Sequence, residues 1–211
     1  MPNSNKQTPN TVTSVYSSNT VSGFLLPKIL NCNHAISLRL MQQRDFDIYH
    51  NLYSNTQVCQ YIGGVWANEK IKRTFELSIK HNQTHKRFTW VIYNKLTNQD
   101  VGLAACIRQH AAIDKAQDLT VGLKKSINKE VELGILLLPA FIGQGIGEPV
   151  LNTITAYAFN HLNIQQVNLC CGQQNINAQN LNKKLFPKFS HNDTQSEWQL
   201  TKQSYLQQVL G

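Results

Sequence analysis

Apolar positions along this chain change their period several times, and each change marks an element. "AISLRL", from Ala35 to Leu40, alternates like a short strand. Phe46, Tyr49, Leu52 and Tyr53 then recur at helical spacing, with Asp45 placed to cap that helix. Gly63 and Gly64 break the pattern, and Asn68 is placed to cap a second helix through Ile71, Phe75 and Ile79. "RFTWVIYNK" is rich in aromatic and β-branched residues and predicts a strand. "LTNQD" predicts a turn, and "VGLAACIRQ" the second arm of a hairpin. His110 to Lys129 is polar and irregular and reads as a long excursion. "EVELGILLL" predicts a strand ended by Pro139, followed by a helix from about Gly145 to His161. "QQVNLCC" predicts another strand, Ala178 to Leu185 a helix, and "EWQLTKQSYL" a final strand. This order predicts a mixed α/β layered fold around one sheet.

Composition narrows the class. The 211 residues are enough for one domain with a sizeable core. The opening "MPNSNKQTPNTVTSVYSSNT" has little to bury and no apolar core of the export type, so residues 1–33 are expected to be a disordered or extended leader. Residues 34–211 then form a single domain. No apolar run approaches the roughly 20 residues that span a bilayer. The five cysteines are odd in number and lack ligand spacing, which favours reduced thiols in a cytoplasm. His81 and His85 sit one helical turn apart, but no carboxylate or cysteine completes a metal set, so no metal is expected.

The net charge of +8 favours acidic partners over a cationic drug. Lys70, Lys72, Arg73, Lys80, Lys86 and Arg87 form one loose basic cluster; Lys124, Lys125 and Lys129 form another. Neither is interleaved with aromatics as a single-strand nucleic-acid platform would be. A solvated helix face accounts for them more simply.

Chemistry concentrates in "FIGQGIGEPVLNTITAYAF", where Gly143, Gly145 and Gly147 lie between a strand and a helix. A helix start has unpaired N–H groups and about half a positive charge, and glycines let a ligand come close to the backbone. The unit is an anion cradle suited to a pyrophosphate. Its spacing is not the dinucleotide Gly-x-Gly-x-x-Gly, and no Gly-Lys-Ser/Thr of a P-loop is present. A turn eased by glycine, with no ligand, stays open on the motif alone.

Four pieces in one order carry a resemblance. They are "LRLMQQRDFDIYHNLYSNTQVCQYIGG", "FTWVIYNKLTNQDVGLAACI", "ELGILLLPAFIGQGIG" and "YAFNHLNIQQVNLCCGQQNINAQNLNKKL", which together span about Ile36 to Phe189. They resemble the GNAT superfamily of acetyl-CoA-dependent N-acetyltransferases, and within it the RimJ/RimL-like branch. The resemblance implies a mostly antiparallel central sheet with a splayed strand pair and helices on both faces. It implies that the strand of Leu136, Leu137 and Leu138 opens to pair with pantetheine amides. N–H groups of Gly143, Gln144, Gly145, Ile146 and Gly147 would hold the pyrophosphate, and Asn175 would contact the pantetheine arm. Glu132 would accept the amine's proton, directly or through water, with Glu130 as second candidate; a strand-end hydrogen bond is the structural alternative for Glu132. A backbone N–H near Leu136 would stabilise the oxyanion. The acceptor would be a protein N-terminus or a small-molecule amine, attacking in a ternary complex. Homodimer formation is left open.

The sequence also departs from the family it resembles. Ile142 stands where Arg or Gln is usual, Pro149 where the branch has Glu, Ala178 where several members have Ser, and Phe186-Pro187 replaces the usual Gly-Phe. Asn182 occupies the position of a Tyr that protonates the departing thiolate, and an amide cannot do that. These losses motivate a second expectation, a non-catalytic acyl-CoA-binding module with a regulatory role.

Overall fold

The computed structural model describes residues 29–108, 129–185, 190–192 and 197–210. Among the described residues, eight strands form one sheet: β1 (Ile29–Asn31), β2 (Ile36–Leu40), β3 (Arg87–Asn94), β4 (Gln99–Arg108), β5 (Glu130–Leu137), β6 (Gln166–Cys170), β7 (Ser190–Asn192) and β8 (Glu197–Thr201). Their order is β1-β2-β3-β4-β5-β6-β8-β7. Every neighbouring pair is antiparallel except β5 with β6. The helices are α1 (Phe46–Tyr53), α2 (Thr56–Cys59), α3 (Asn68–Gln83), α4 (Gly147–His161), α5 (Ile176–Leu185) and α6 (Lys202–Leu210).

Strand alternation sorts the core into two layers. Phe88, Trp90 and Ile92 of β3, with Val131 and Leu133 of β5, face Val150, Leu151, Ile154 and Tyr157 of α4. Val91 and Leu103 point the other way, onto Tyr49, Leu52, Ile71 and Phe75 of α1 and α3. The sheet is thus covered on both faces, as expected. Asn82, 3% exposed near the end of α3, latches that helix to the sheet. Its Nδ2 donates to the carbonyls of Met41 (3.3 Å) and Thr89 (3.1 Å), and its Oδ1 accepts the Thr89 N–H at 2.8 Å.

Several sequence expectations shift. "EWQLTKQSYL" is a strand only to Thr201 and then becomes α6, whose Tyr205 ring lies 4.9 Å from that of Phe159. The helical spacing of Tyr205, Leu206 and Val209 was masked by the alternation before it. Ile29–Asn31 pairs with β2, so the sheet begins inside the segment expected to be a leader. Asp45 makes no side-chain cap for α1; its Oδ2 accepts from Arg39 Nη1 (2.7 Å) and the Gln42 N–H (2.8 Å). A guanidinium within reach outcompetes the cap. Asn68 lies one position inside α3, with Ala67 as the cap residue, and its Oδ1 meets His50 Nε2 at 3.0 Å. His85 lies beyond the end of α3 with φ 55°, which breaks its helical spacing to His81; its ring stacks on Phe88. Of the His110–Lys129 excursion, residues 110–128 lie outside the described residues.

Candidate active site

The site exists because one strand pair comes apart. β4 and β5 pair over seven positions, from Gly102↔Leu137 to Arg108↔Val131. β5 and β6 pair in parallel over four, from Glu130↔Gln166 to Leu133↔Leu169. Beyond Leu133, β5 runs on through Gly134–Leu137 while β6 ends at Cys170 and turns away. An unpaired strand edge offers a row of N–H and C=O groups to any extended ligand.

Which groups face the opening follows from the ladder. The Leu138 N–H donates to the Val101 carbonyl at 2.9 Å, and the Leu138 carbonyl accepts from Phe141 at 2.9 Å. Leu138 is therefore already engaged, contrary to its expected place against a pantetheine arm. Alternation turns Leu136 the same way, toward β4, and Ile135 and Leu137 toward the open side. Gly102 confirms the direction: a Cβ there would sit 2.2 Å from the Leu136 carbonyl oxygen, a contact only glycine allows.

Past β5, a 3-10 turn at Pro139–Phe141 leads into the glycine loop. Gly143 has φ 82° and Gly145 φ 74°, conformations that favour glycine, and a Cβ on either would meet nothing within 4 Å. Gln144 folds back, its Nε2 donating to the Ala140 carbonyl at 2.7 Å. The buried Ile146 then anchors the first turn of α4, which has no side-chain cap. Its first N–H groups are open to an anion. Pro149 falls in that first turn, where the missing N–H breaks no helical bond. Gly147 serves packing instead: a Cβ would come 2.6 Å from Leu181 of α5.

A cleft of about 330 Å³ opens through the gap in the sheet, between Gly134–Leu136 of β5 and Leu169–Gly172 at the end of β6. Glu132, Leu136, Asn175 and Asn182 line it, as do Cys170 and Cys171 at the end of β6. Glu132 is half-buried on the α1–α3 side of β5 and has no ion pair among the described residues. Glu130, at the first position of β5, does not line the cleft. Burial first, and then the charges of Glu132 and Glu197, push the Cys170 thiol up to about 12. It therefore stays protonated near neutral pH. Asn175 caps α5, its Oδ1 accepting the Ala178 N–H at 3.1 Å. That leaves its amide hydrogens as donors toward the cleft. Asn182 is buried, and its Nδ2 lies 3.8 Å from Cys171 Sγ as a donor to sulfur.

Several cleft residues escape sequence reasoning. Tyr53, Tyr61 and Trp66 line it from the α1–α2 region, and Arg87 and Thr89 from the start of β3. The Tyr53 and Trp66 rings stack at 4.2 Å, with Lys70 Nζ 4.1 Å from the Trp66 ring centre. Burial pushes the Tyr53 phenol well up; the neighbouring Tyr49 adds to this and the positive charge of Arg87 opposes it. The only available signal was Arg87 and Thr89 interrupting an apolar strand in phase with each other. Among the described residues no group of three or more His, Cys, Asp or Glu side chains could hold a metal, and no helix is long and apolar enough to cross a membrane.

An opened parallel pair thus lies beside an uncapped helix behind a positive-φ loop, and one carboxylate lines the cleft among the described residues. Residues 36–185 match the family described as "Acetyltransferase (GNAT) domain". The chain belongs to that acetyltransferase family, and so to the acetyl-CoA-dependent N-acetyltransferases. It is 22% identical over 157 residues to spermidine N(1)-acetyltransferase of Escherichia coli (strain K12), covering 72% of each chain. The Vibrio cholerae spermidine N(1)-acetyltransferase is 23% identical over 154 residues, covering 71% of this chain and 76% of the relative. Among solved structures, the fold is similar to Vibrio cholerae spermidine N-acetyltransferase in complex with CoA and spermine (TM-score 0.65, 19% identity, 82% of this chain and 99% of that one). It is also similar to RimL, a ribosomal L7/L12 alpha-N-protein acetyltransferase (TM-score 0.62, 14% identity, 88% and 99%).

Proposed function

We propose that this protein transfers the acetyl group of acetyl-CoA to a primary amine by direct attack within a ternary complex. The observation that carries the reading is the parting of β5 from β6 beside an uncapped, glycine-led helix. N–H groups of Gly143, Gln144, Gly145, Ile146 and Gly147 fit a pyrophosphate, which needs several donors and no side-chain charge. The outward backbone groups of Ile135 and Leu137 fit the amides of pantetheine, and the Asn175 amide adds a donor. The thioester then reaches the gap, where an N–H at Ile135 or Leu137 serves the developing oxyanion.

Glu132 is the base in this reading. An ammonium has no lone pair, so the amine must lose a proton before or during attack, and Glu132 is the one carboxylate lining the cleft among the described residues. The Asn182 amide supports the departing sulfur by hydrogen bonding without protonating it. Motif order supports a RimJ/RimL-like acceptor, a protein N-terminus; the spermidine enzymes named above support a small polyamine. Five cysteines, all unbridged, support a cytoplasmic setting.

The test is thiol release from acetyl-CoA over a panel of amines and N-terminal peptides, with acetyl-CoA binding followed by calorimetry. Binding with turnover supports the transferase. Binding without thiol release from any amine favours the second reading, a non-catalytic acyl-CoA module, for which Asn182 and Ala178 are the motivating residues. No binding refutes both.

A further inference from the structure

We propose that the acceptor amine also carries a carboxylate, and that Arg87 receives it. This inference rests on the acetyl-transfer reading above. Arg87 opens β3 and shares a register row with Glu132, through Arg87↔Ile107 and Ile107↔Glu132. Both line the cleft. Two strand spacings separate their backbones, about 10 Å. Arg87 makes no ion pair or hydrogen bond among the described residues, and its Nε is buried without a partner. Thr89, two residues on along the same face, is 2% exposed, and its Oγ1 likewise has no partner.

A guanidinium Nε and a hydroxyl held out of water with nothing bonded to them are costly unless a ligand completes them. The planar fork of arginine matches a carboxylate through two parallel hydrogen bonds. Its charge is felt inside the cleft, since it opposes the rise of the Tyr53 phenol.

The same arrangement disfavours a polyamine. A second ammonium needs a second carboxylate, but Glu132 is the only acidic residue lining the cleft among the described residues. Any further positive charge would meet Arg87 instead, in a chain already at +8. With the amine beside Glu132 and Gly134, the carboxylate falls within about 10 Å of it. Two sources share that chemistry: a free amino-carboxylate, and a peptide N-terminus followed by an acidic residue.

The test uses the full chain at saturating acetyl-CoA and reads thiol release. It pairs 5-aminopentanoate with its amide, a Ser-Asp-Glu peptide with Ser-Asn-Gln, and adds spermidine. Each acid is expected to exceed its amide in kcat/KM by roughly 10- to 100-fold, the range of one charge-assisted pair. Which pair shows the larger ratio identifies the source. Arg87→Gln is expected to close the gap through KM, and Arg87→Lys to restore part of it. Equal rates for acid and amide in the unaltered protein, or spermidine as the best acceptor, would overturn the inference whatever the variants do. Turnover of spermidine or the amides alone overturns only this inference. Acetyl-CoA binding with no thiol release from any amine overturns the transferase reading as well.

Discussion

The two halves of the candidate site are built from different materials. The α4 half is made of main chain: the Gly134–Leu137 edge, the loop at Gly143 and Gly145, and the first turn of α4. The α1–α3 half is made of side chains: Tyr53 from α1, Arg87 and Thr89 from β3, Glu132 from β5. A backbone site binds what many related proteins bind, because its geometry depends on glycine spacing and strand ends rather than on particular side chains. A side-chain site can be re-specified by a handful of substitutions while the fold stays the same.

Variants sharpen this contrast. The largest effect belongs to the side-chain half: Glu132→Gln is expected to lower kcat by about 10²- to 10⁴-fold, the range for losing a positioned base. Acetyl-CoA affinity by calorimetry stays within error; an unchanged kcat would remove Glu132 from the chemistry. Gly145→Val reverses the pattern. Its φ of 74° is strained for a branched residue, and the side chain would stand in the cradle. Acetyl-CoA affinity should fall by roughly 10- to 100-fold, matching about 1–3 kcal/mol of strain. An unchanged dissociation constant would refute the loop assignment.

Smaller effects probe the support beneath each half. Asn82→Ala leaves the buried Thr89 N–H without its acceptor, and denaturant titration should show a loss of roughly 1–3 kcal/mol. KM for the amine should rise with it, since Thr89 and Arg87 ride on the same strand. The smallest change is expected from Tyr53→Phe. Burial raises the folded-state pKa of this phenol above its ordinary value of 10.0, so it stays neutral throughout the usual assay range. No limb of the pH–rate profile below about pH 10 should move; a shifted alkaline limb would make Tyr53 a titrating participant.

The contrast also explains what the sequence could and could not reveal. Pro139, the three glycines and the apolar run after them place β5, the loop and α4 within a residue or two, because each is a local backbone preference. Strand register is not local. Which residues of β5 turn toward the gap depends on the Leu138–Val101 hydrogen bond, which is why Leu136–Leu138 could be read as a block while Ile135 and Leu137 are the outward pair. Arg87 was read only as a member of a basic cluster; nothing near it in sequence announces that β4 will bring it level with Glu132. Asp45 illustrates the same limit, since its cap role yields to Arg39, which the β2 strand brings alongside it.

One consequence of the short parallel pairing concerns mechanics. β6, β8, β7 and α6 form a leaf tied to the body by four backbone pairs, together with the packing of α4 across the joint. The neighbouring junction has seven. Under heat or denaturant the molecule should tear along that seam first, with the leaf exchanging its amide hydrogens sooner than β3 and β4.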